Sequence, residues 1–269
     1  MLSVLLYVIP SHISLADPTN HDNGAFASTV IAKGGIFVKL SENVSFEEGA
    51  TLGVGISTVG QGLYQSLGFP LPPATVQEPT SILIYGGSTA TGTLAIQFAK
   101  LSGLEVFTTS SPHNFDLLKR LGADHVFDYK DPDVAAKIRE ATNDKLAYVF
   151  DTIAEHGSPD ISAAAIGSGG GKYSCILPVK SLPRNDVYIN FTLAYTALGE
   201  KYTNQFPRNQ VDYEFGVKFW KVTEGLLNSG KIKAHPAEVR EGGLKAIPQG
   251  LKDLKDGKVS GVKLVYKIE

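Results

Sequence analysis

Three glycines, Gly86, Gly87 and Gly92, sit between a short apolar run and an amphipathic one. Glycines spaced in this way suit one task, which is holding an anion. Where a buried strand turns sharply into a helix, backbone N–H groups and the positive end of the helix dipole converge on one point. A pyrophosphate fits that point, as at dinucleotide-binding turns. The turn reads Gly86-Gly-Ser-Thr-Ala-Thr-Gly92, with Thr89 and Ala90 where the Gly-x-Gly-x-x-Gly pattern has glycines. The match is therefore partial, and an ordinary strand-to-helix turn is the alternative.

The flanking residues supply the elements such a turn needs. Ile82, Leu83 and Ile84 make a run suited to a central parallel strand. Leu94, Ala95, Ile96, Phe98, Ala99 and Leu101 give a helix with a broad apolar face, stopped at Gly103. Strand and helix signals then alternate. Strands are expected at 106–109, 125–128, 146–150, 172–177 and 188–193. Helices are expected after Phe115 up to Gly122, after Asp131-Pro132, and after Ser158-Pro159. This alternation predicts an α/β, Rossmann-type doubly wound parallel sheet with helices on both faces. A helix over 213–229 closes the region, and the tail reads as a Lys- and Leu-rich helix, a turn at Gly257 and a strand over 262–266. Upstream, Phe26, Val30, Ile36 and Val38 read as short strands with turns at Gly24 and Gly34-Gly35. Ser45-Phe-Glu-Glu48 is a capping box, a second helix runs from about Thr58 to Leu67, and Pro70, Pro72, Pro73 and Pro79 form a stiff connector.

The second strand ends at Thr108-Thr109-Ser110-Ser111. An acid near this tip would hold a ribose 2′-hydroxyl, but Glu105 opens the strand instead of ending it. Ser111, His113 and Asn114, with Pro112 among them, offer hydrogen bonds to a 2′-phosphate, and Tyr129 on the next strand adds a hydroxyl. This favours NADPH over NADH. The alternative is a plain turn with Asn114 near a helix start.

Composition narrows the function classes. The 269 residues are 43% hydrophobic and 19% charged, with a net charge of −2. That suits a globular core and argues against nucleic-acid or anionic-membrane partners. The single cysteine, Cys175, excludes an internal disulfide and a cysteine-based zinc site, and the six histidines are scattered. No metal is expected. Leu2 to Ile9 is apolar but too short to span a bilayer and lacks a basic start, so the expectation is a cytoplasmic protein.

Taken together, Asn23-Gly-Ala-Phe-Ala27, Thr51-Leu-Gly-Val-Gly-Ile-Ser-Thr-Val-Gly60, the glycine turn, Leu121-Gly-Ala-Asp124 and Gly257-Lys-Val-Ser-Gly261 resemble the zinc-independent medium-chain dehydrogenase/reductases. Ser111-Pro-His-Asn114 and Val239-Arg-Glu-Gly-Gly243 are similar to the fungal trans-acting enoyl reductases that serve highly reducing polyketide synthases. The resemblance runs from about Asp22 to the C-terminus. It implies a Rossmann domain paired with a partial, β-rich GroES-like domain: 1–75 as a remnant of the latter (1–21 outside the family), 76–230 as the NADPH domain, and 231–269 returning to the first.

The resemblance further implies that hydride passes from NADPH to the β-carbon of an enoyl thioester, with a proton added at the α-carbon. Ser88, Thr89, Ala90 and Thr91 would meet the pyrophosphate. Ser111, Pro112, His113, Asn114 and Tyr129 would meet the adenosine phosphate. Ile176, Leu177, Val259 and Ser260 would flank the nicotinamide. The substrate pocket would draw on Gly53, Val54, Gly55, Ile56, Ser57, Thr58, Val59 and Gly60, and on Ala197, Leu198, Gly199, Glu200 and Lys201. Ser57 and Thr58 would hydrogen-bond the thioester carbonyl or the nicotinamide amide, although Thr58 equally suits a helix cap. The partner implied is a polyketide synthase acyl carrier domain, and the chain is expected to be a monomer.

No proton donor is assigned; Tyr64, Tyr195 and Tyr202 qualify by chemistry alone. Only 22 residues precede Asn23, where the family has most of its GroES-like domain. The expectation is a chain shortened at its N-terminus, with Met1 to Ala16 as non-family sequence. A quinone or small-enone reductase and a non-catalytic nucleotide-binding protein stay open as alternatives.

Overall fold

The computed structural model describes residues 34–268 and the backbone of Tyr7–Val8. The expected turn at Gly24, the strand positions Phe26 and Val30 and the Asn23 to Ala27 motif lie outside the described residues. The chain forms two compact units, Thr58–Leu193 and Met1–Ser57 with Ala194–Glu269. Among the described residues no helix is long and apolar enough to cross a membrane.

In the unit Thr58–Leu193, six strands form one parallel sheet: β1 (Ser81–Tyr85), β2 (Glu105–Ser110), β3 (His125–Asp128), β4 (Tyr148–Asp151), β5 (Gly171–Cys175) and β6 (Val187–Phe191). Their order is β3-β2-β1-β4-β5-β6. Leu83 pairs with Phe107 on one side and Val149 on the other, and Tyr85 stands opposite Asp151. The strand order reverses between β1 and β4, so the crevice at their C-terminal ends is the switch point where such sheets bind ligands. Ile82, Leu83 and Ile84 are all fully buried, as a central strand covered on both faces requires.

The helices α1 (Ala90–Leu101), α2 (Phe115–Arg120), α3 (Val134–Ala141) and α4 (Ser158–Ala165) connect the strands. Phe107, Val149, Tyr173 and Cys175 pack with Ile138 and Ala163 of α3 and α4 in one buried cluster. Gly103 and Gly122 carry positive φ, +82° and +105°, at the two predicted helix stops.

The region before β1 departs from expectation. Ser45 and Glu48 do form the capping box: Ser45 N donates to Glu48 Oε2 at 2.8 Å and Glu48 N to Ser45 Oγ at 3.1 Å. However, the helix Phe46–Val59 is broken inside, at Gly53 (φ 1°, ψ −109°), and runs on without a gap into a π-helical turn, Gly60–Ser66. The expectation of a separate helix starting near Thr58 is corrected accordingly. A π-turn leaves no periodic mark in a sequence. What permits it here is Gly62, where any Cβ would collide with the Phe150 ring.

The second unit holds the helix α5 (Gln210–Asn228), a 3-10 turn Ala194–Leu198, and β7 (Ala237–Arg240) paired in parallel with β8 (Lys263–Tyr266). The helix α6 (Gly243–Lys255) connects these two strands and sits close on them, since a Cβ at Gly250 would collide with Tyr266 Oη. A short antiparallel pair joins Tyr7–Val8 to Val38–Lys39. The helix expected over 213–229, read from the sequence as part of 76–230, is Gln210–Asn228 and falls in this unit, and its contacts explain why. Tyr213 Oη donates to Gly34 O at 2.9 Å, Lys39 N donates to Glu224 Oε2 at 2.9 Å, and Asn228 Nδ2 donates to Lys39 O at 3.3 Å. Fully buried Trp220 donates its indole N–H to Ser57 Oγ at 3.0 Å.

Two predictions follow from packing and burial. Gly62→Ala should cost about 1–3 kcal/mol, because overpacking against Phe150 must be relieved by shifting the π-turn; an unchanged denaturant midpoint would contradict the packing. His235 is buried, and its pKa is pushed down to about 4 by burial, raised by a hydrogen bond with the Val262 backbone and lowered again by Lys263. The unfolded chain takes up a proton below a pH of about 6.5 while the folded ring stays neutral. Between that pH and about 4 the unfolded state binds more protons, so stability falls as pH drops through this window. Melting temperatures measured across it should fall less steeply for His235→Gln than for the parent; equal slopes would show that the ring contributes nothing.

Candidate cofactor site

The turn after β1 is built by glycines that leave no room for a Cβ against their neighbours. Gly86 has φ +81°, and a Cβ there would meet Thr152 Oγ1 at 2.8 Å and Ile153 Cγ1 at 2.7 Å. At Gly92 a Cβ would collide with the Gly86 carbonyl, and at Gly87 with Thr108 Oγ1. Strand β2 holds the turn from the side: Gly86 N donates to Thr109 Oγ1 at 3.0 Å and Gly87 N to Thr109 O at 2.9 Å.

Thr89 caps α1. Its hydroxyl accepts from Gly92 N at 2.8 Å, and its own N–H donates to Gly86 O at 3.1 Å. The ladder of α1 begins with Thr93 N donating to Thr89 O at 3.0 Å. Of the amides a helix start leaves outside its ladder, those of Ala90 and Thr91 remain to serve a ligand. Both residues are partly exposed, and the helix dipole reinforces them. Such a pair of amides at a helix start can accept an anion such as a pyrophosphate.

Of the other residues proposed for the cofactor, all but Val259 and Ser260 follow strands of the same sheet. Ser111, Pro112, His113 and Asn114 follow β2, with 112–114 in a 3-10 turn. Ser111 is partly exposed, Pro112 and His113 are exposed, and Asn114 is buried. Asn114 starts α2 but makes no side-chain cap bond. Tyr129 follows β3 and is exposed, with Lys130 Nζ 5.8 Å from its ring centre. Ile176 and Leu177 follow β5, the first partly exposed and the second exposed.

The sheet order therefore lines up Tyr129, Ser111 to Asn114, Ser88 to Thr91, and Ile176-Leu177 along one edge. At a strand spacing of about 4.8 Å the five strands involved span roughly 19 Å. Glu105 is at the opposite edge, with Ser81 Oγ donating to it at 2.7 Å and its carboxylate 3.2 Å from His125 Nε2. Asp128 ends β3, but its carboxylate turns into its own loop and accepts from Lys130 N at 3.0 Å.

The sequence reading missed the end of β4. Asp151 is fully buried. Its Oδ1 accepts from Ile153 N at 2.9 Å and Ala154 N at 2.8 Å, and its Oδ2 accepts from Ser158 Oγ at 2.6 Å and Tyr173 Oη at 2.7 Å. Thr152 Oγ1 lies 2.8 Å from Tyr85 O, 3.0 Å from Gly86 O and 3.0 Å from Thr89 Oγ1. Burial, then the Asp151 charge, pushes the Cys175 thiol up to about 12. Burial, then Asp151 and Tyr129, does the same to the Tyr85 phenol. The available signal was a polar Asp-Thr pair closing the strand next to β1, at the switch point.

The proposed substrate residues divide between the units. Gly53, Gly55, Ile56 and Ser57 are buried and Val54 is partly exposed in the one; Thr58, Val59 and Gly60 are buried in the other. Ser57 accepts the Trp220 indole N–H. Ala197 and Gly199 are buried beside α5, Leu198 is partly exposed, and Glu200 and Lys201 are exposed. Val259 is partly exposed and Ser260 exposed, in the turn before β8. Tyr64 is removed from the proton-donor candidates. Its hydroxyl is buried 3.1 Å from Ser102 Oγ and 3.3 Å from Phe98 O, at the far end of α1, and burial raises its pKa. Tyr195 and Tyr202 stack on each other with ring centres 4.7 Å apart.

A family model described as "Zinc-binding dehydrogenase" matches residues 90–176. The donor set does not fit zinc: among the described residues no group of three or more His, Cys, Asp or Glu side chains could hold a metal ion, and the one cysteine is buried with its thiol form favoured. The fold is shared with "CurK enoyl reductase" (TM-score 0.68, 22% identity, 87% of this chain and 66% of that one). It is shared equally with a quinone oxidoreductase of Pseudomonas syringae pv. Tomato DC3000 (TM-score 0.66, 23% identity, 87% and 69%), so the fold alone does not separate these activities. Sequence does: the chain is 64% identical to "Trans-enoyl reductase ACTTS2" of Alternaria alternata over 252 residues, 94% of this chain and 74% of that one. That identity, on an α/β sheet with a glycine turn at its switch point, makes the chain a member of the trans-enoyl reductase family of medium-chain dehydrogenase/reductases, oxidoreductases that use a nicotinamide cofactor.

Proposed function

We propose that this protein reduces an α,β-unsaturated thioester with NADPH, acting in trans on an acyl chain carried by a polyketide synthase. The observation that carries the reading is the 64% identity to a trans-enoyl reductase across 94% of the chain. NADPH, when bound, supplies the hydride for the β-carbon, and a proton completes the α-carbon. The protein's own residues bind and orient. The Ala90 and Thr91 amides and the α1 dipole hold the pyrophosphate, with the Ser88 hydroxyl as the side-chain donor beside them. The 2′-phosphate is read by Ser111, His113 and Asn114, with Tyr129 at the edge. The acid-free tip of β2 supports that preference, since Glu105 sits at the other end of the strand. Ile176 and Leu177 in one unit, and Val259 and Ser260 in the other, are the residues that the family resemblance assigns to the nicotinamide. Residues 53–60 and 197–201 form the substrate side, within what we read as the GroES-like part of the chain.

The test offers the purified chain NADPH, NADH, an enoyl thioester and a quinone, and follows nicotinamide absorbance. Oxidation of NADPH that depends on the thioester is expected. Turnover with the quinone alone would instead select a quinone reductase, and binding without turnover a nucleotide-binding protein. Ser111→Glu should weaken NADPH about tenfold or more and leave NADH nearly unchanged, because a like charge then faces the phosphate; equal weakening of both would remove Ser111 from the 2′-phosphate site. Gly92→Ala should abolish binding of either nucleotide, since its Cβ collides with the Gly86 carbonyl; retained affinity would contradict the cradle.

A further inference from the structure

Thr152 closes the switch-point strand with a buried hydroxyl that reaches three groups of the glycine turn: Tyr85 O at 2.8 Å, Gly86 O at 3.0 Å and Thr89 Oγ1 at 3.0 Å. Each hydroxyl has one proton to give. Thr89 Oγ1 already accepts from Gly92 N, so its proton is the one available to Thr152 Oγ1. Thr152 then donates to Tyr85 O, with Gly86 O sharing. The result is a directed chain: Gly92 N–H to Thr89 Oγ1, Thr89 O–H to Thr152 Oγ1, and Thr152 O–H to the β1 carbonyls. It ties the start of α1 to the end of β1 through a strand that is 63 to 67 residues distant in sequence. It also commits the Thr89 hydroxyl, leaving Thr89 only its neighbours' amides to offer an anion.

The loop carrying Thr152 is itself fixed. Asp151 accepts from the next two amides past Thr152, those of Ile153 and Ala154, and Ala154 is held at φ +60°, a conformation that costs energy for a residue other than glycine.

We propose that Thr152 is a positioning residue for the cofactor: without touching it, the hydroxyl holds the Gly86 to Gly92 turn in the geometry that aims the Ala90 and Thr91 amides at the pyrophosphate. This rests on reading that turn as a nicotinamide dinucleotide site. It differs from a merely stabilising role, because loss of the hydroxyl should appear in cofactor affinity and not in the chemical step.

The test is Thr152→Val and Thr152→Ser in the full chain, each titrated with NADPH by fluorescence well below its melting temperature, alongside steady-state kinetics. The valine variant should raise Kd and the KM for NADPH about five- to tenfold, the loss of one hydrogen bond, with kcat kept. Serine should restore the parent values within about twofold. A valine variant with the parent's Kd, or a serine variant as weak as valine, overturns the proposal. If valine does not fold, Thr152→Ala removes the same hydroxyl with a small void instead of a misplaced methyl and is judged by the same numbers. A parent chain that binds neither NADPH nor NADH removes the cofactor reading and the staple with it, whereas a binding parent with an indifferent valine variant removes the staple alone.

Discussion

The contact on which the site depends is the approach of Gly92 to the carbonyl of Gly86. Nothing larger than hydrogen fits between them. That closeness lets α1 begin directly above the end of β1, so the helix start points at the crevice where the strand order reverses. In the proposed site, the dipole and the amides of Ala90 and Thr91 share a target with the loops after β2 and β5 only because the helix is seated there. A side chain at residue 92 would lift the helix start and separate these groups. Burial supplies the rest of the constraint: β1 is covered on both faces, so the turn cannot move without disturbing the strand below it.

Around that contact the polar groups are arranged so that donors face the site and acceptors face the protein. The carbonyls of Ile84, Tyr85 and Gly86 would repel an anion. Ile84 O accepts from Thr108 Oγ1 at 2.6 Å, and Tyr85 O and Gly86 O are engaged by Thr152. Low dielectric raises the cost of leaving such groups unpaired. The threonines at the ends of β2 and β4 thus shape the anion site from behind.

Much of the sheet was legible because its signals are local. The capping box of Ser45 and Glu48 makes both of its bonds within three residues. His125–Asp128 occupies the span its alternation predicted, and Gly103 and Gly122 adopt the positive φ that ends their helices. The glycine turn was legible for the same reason, with its three glycines and cap inside seven residues. What was missed is non-local. Thr152 acts on residues 63 to 67 positions earlier. The helix α5 is tied to residues 34–39 of its own unit through bonds spanning 179 to 189 residues. The π-turn depends on how the bare backbone of Gly62 packs against Phe150, and periodicity does not encode that. Tyr64 qualified by chemistry alone, and its position at the far end of α1 disqualifies it.

The central claim is that this chain transfers hydride from a nicotinamide to an enoyl thioester. The most direct measurement offers NADPH carrying deuterium at the transferable position, with an α,β-unsaturated thioester, and reads the product by mass spectrometry and NMR. The account predicts one deuterium on the β-carbon and solvent hydrogen on the α-carbon. Product without deuterium, or deuterium recovered only in unreacted nucleotide, would contradict it.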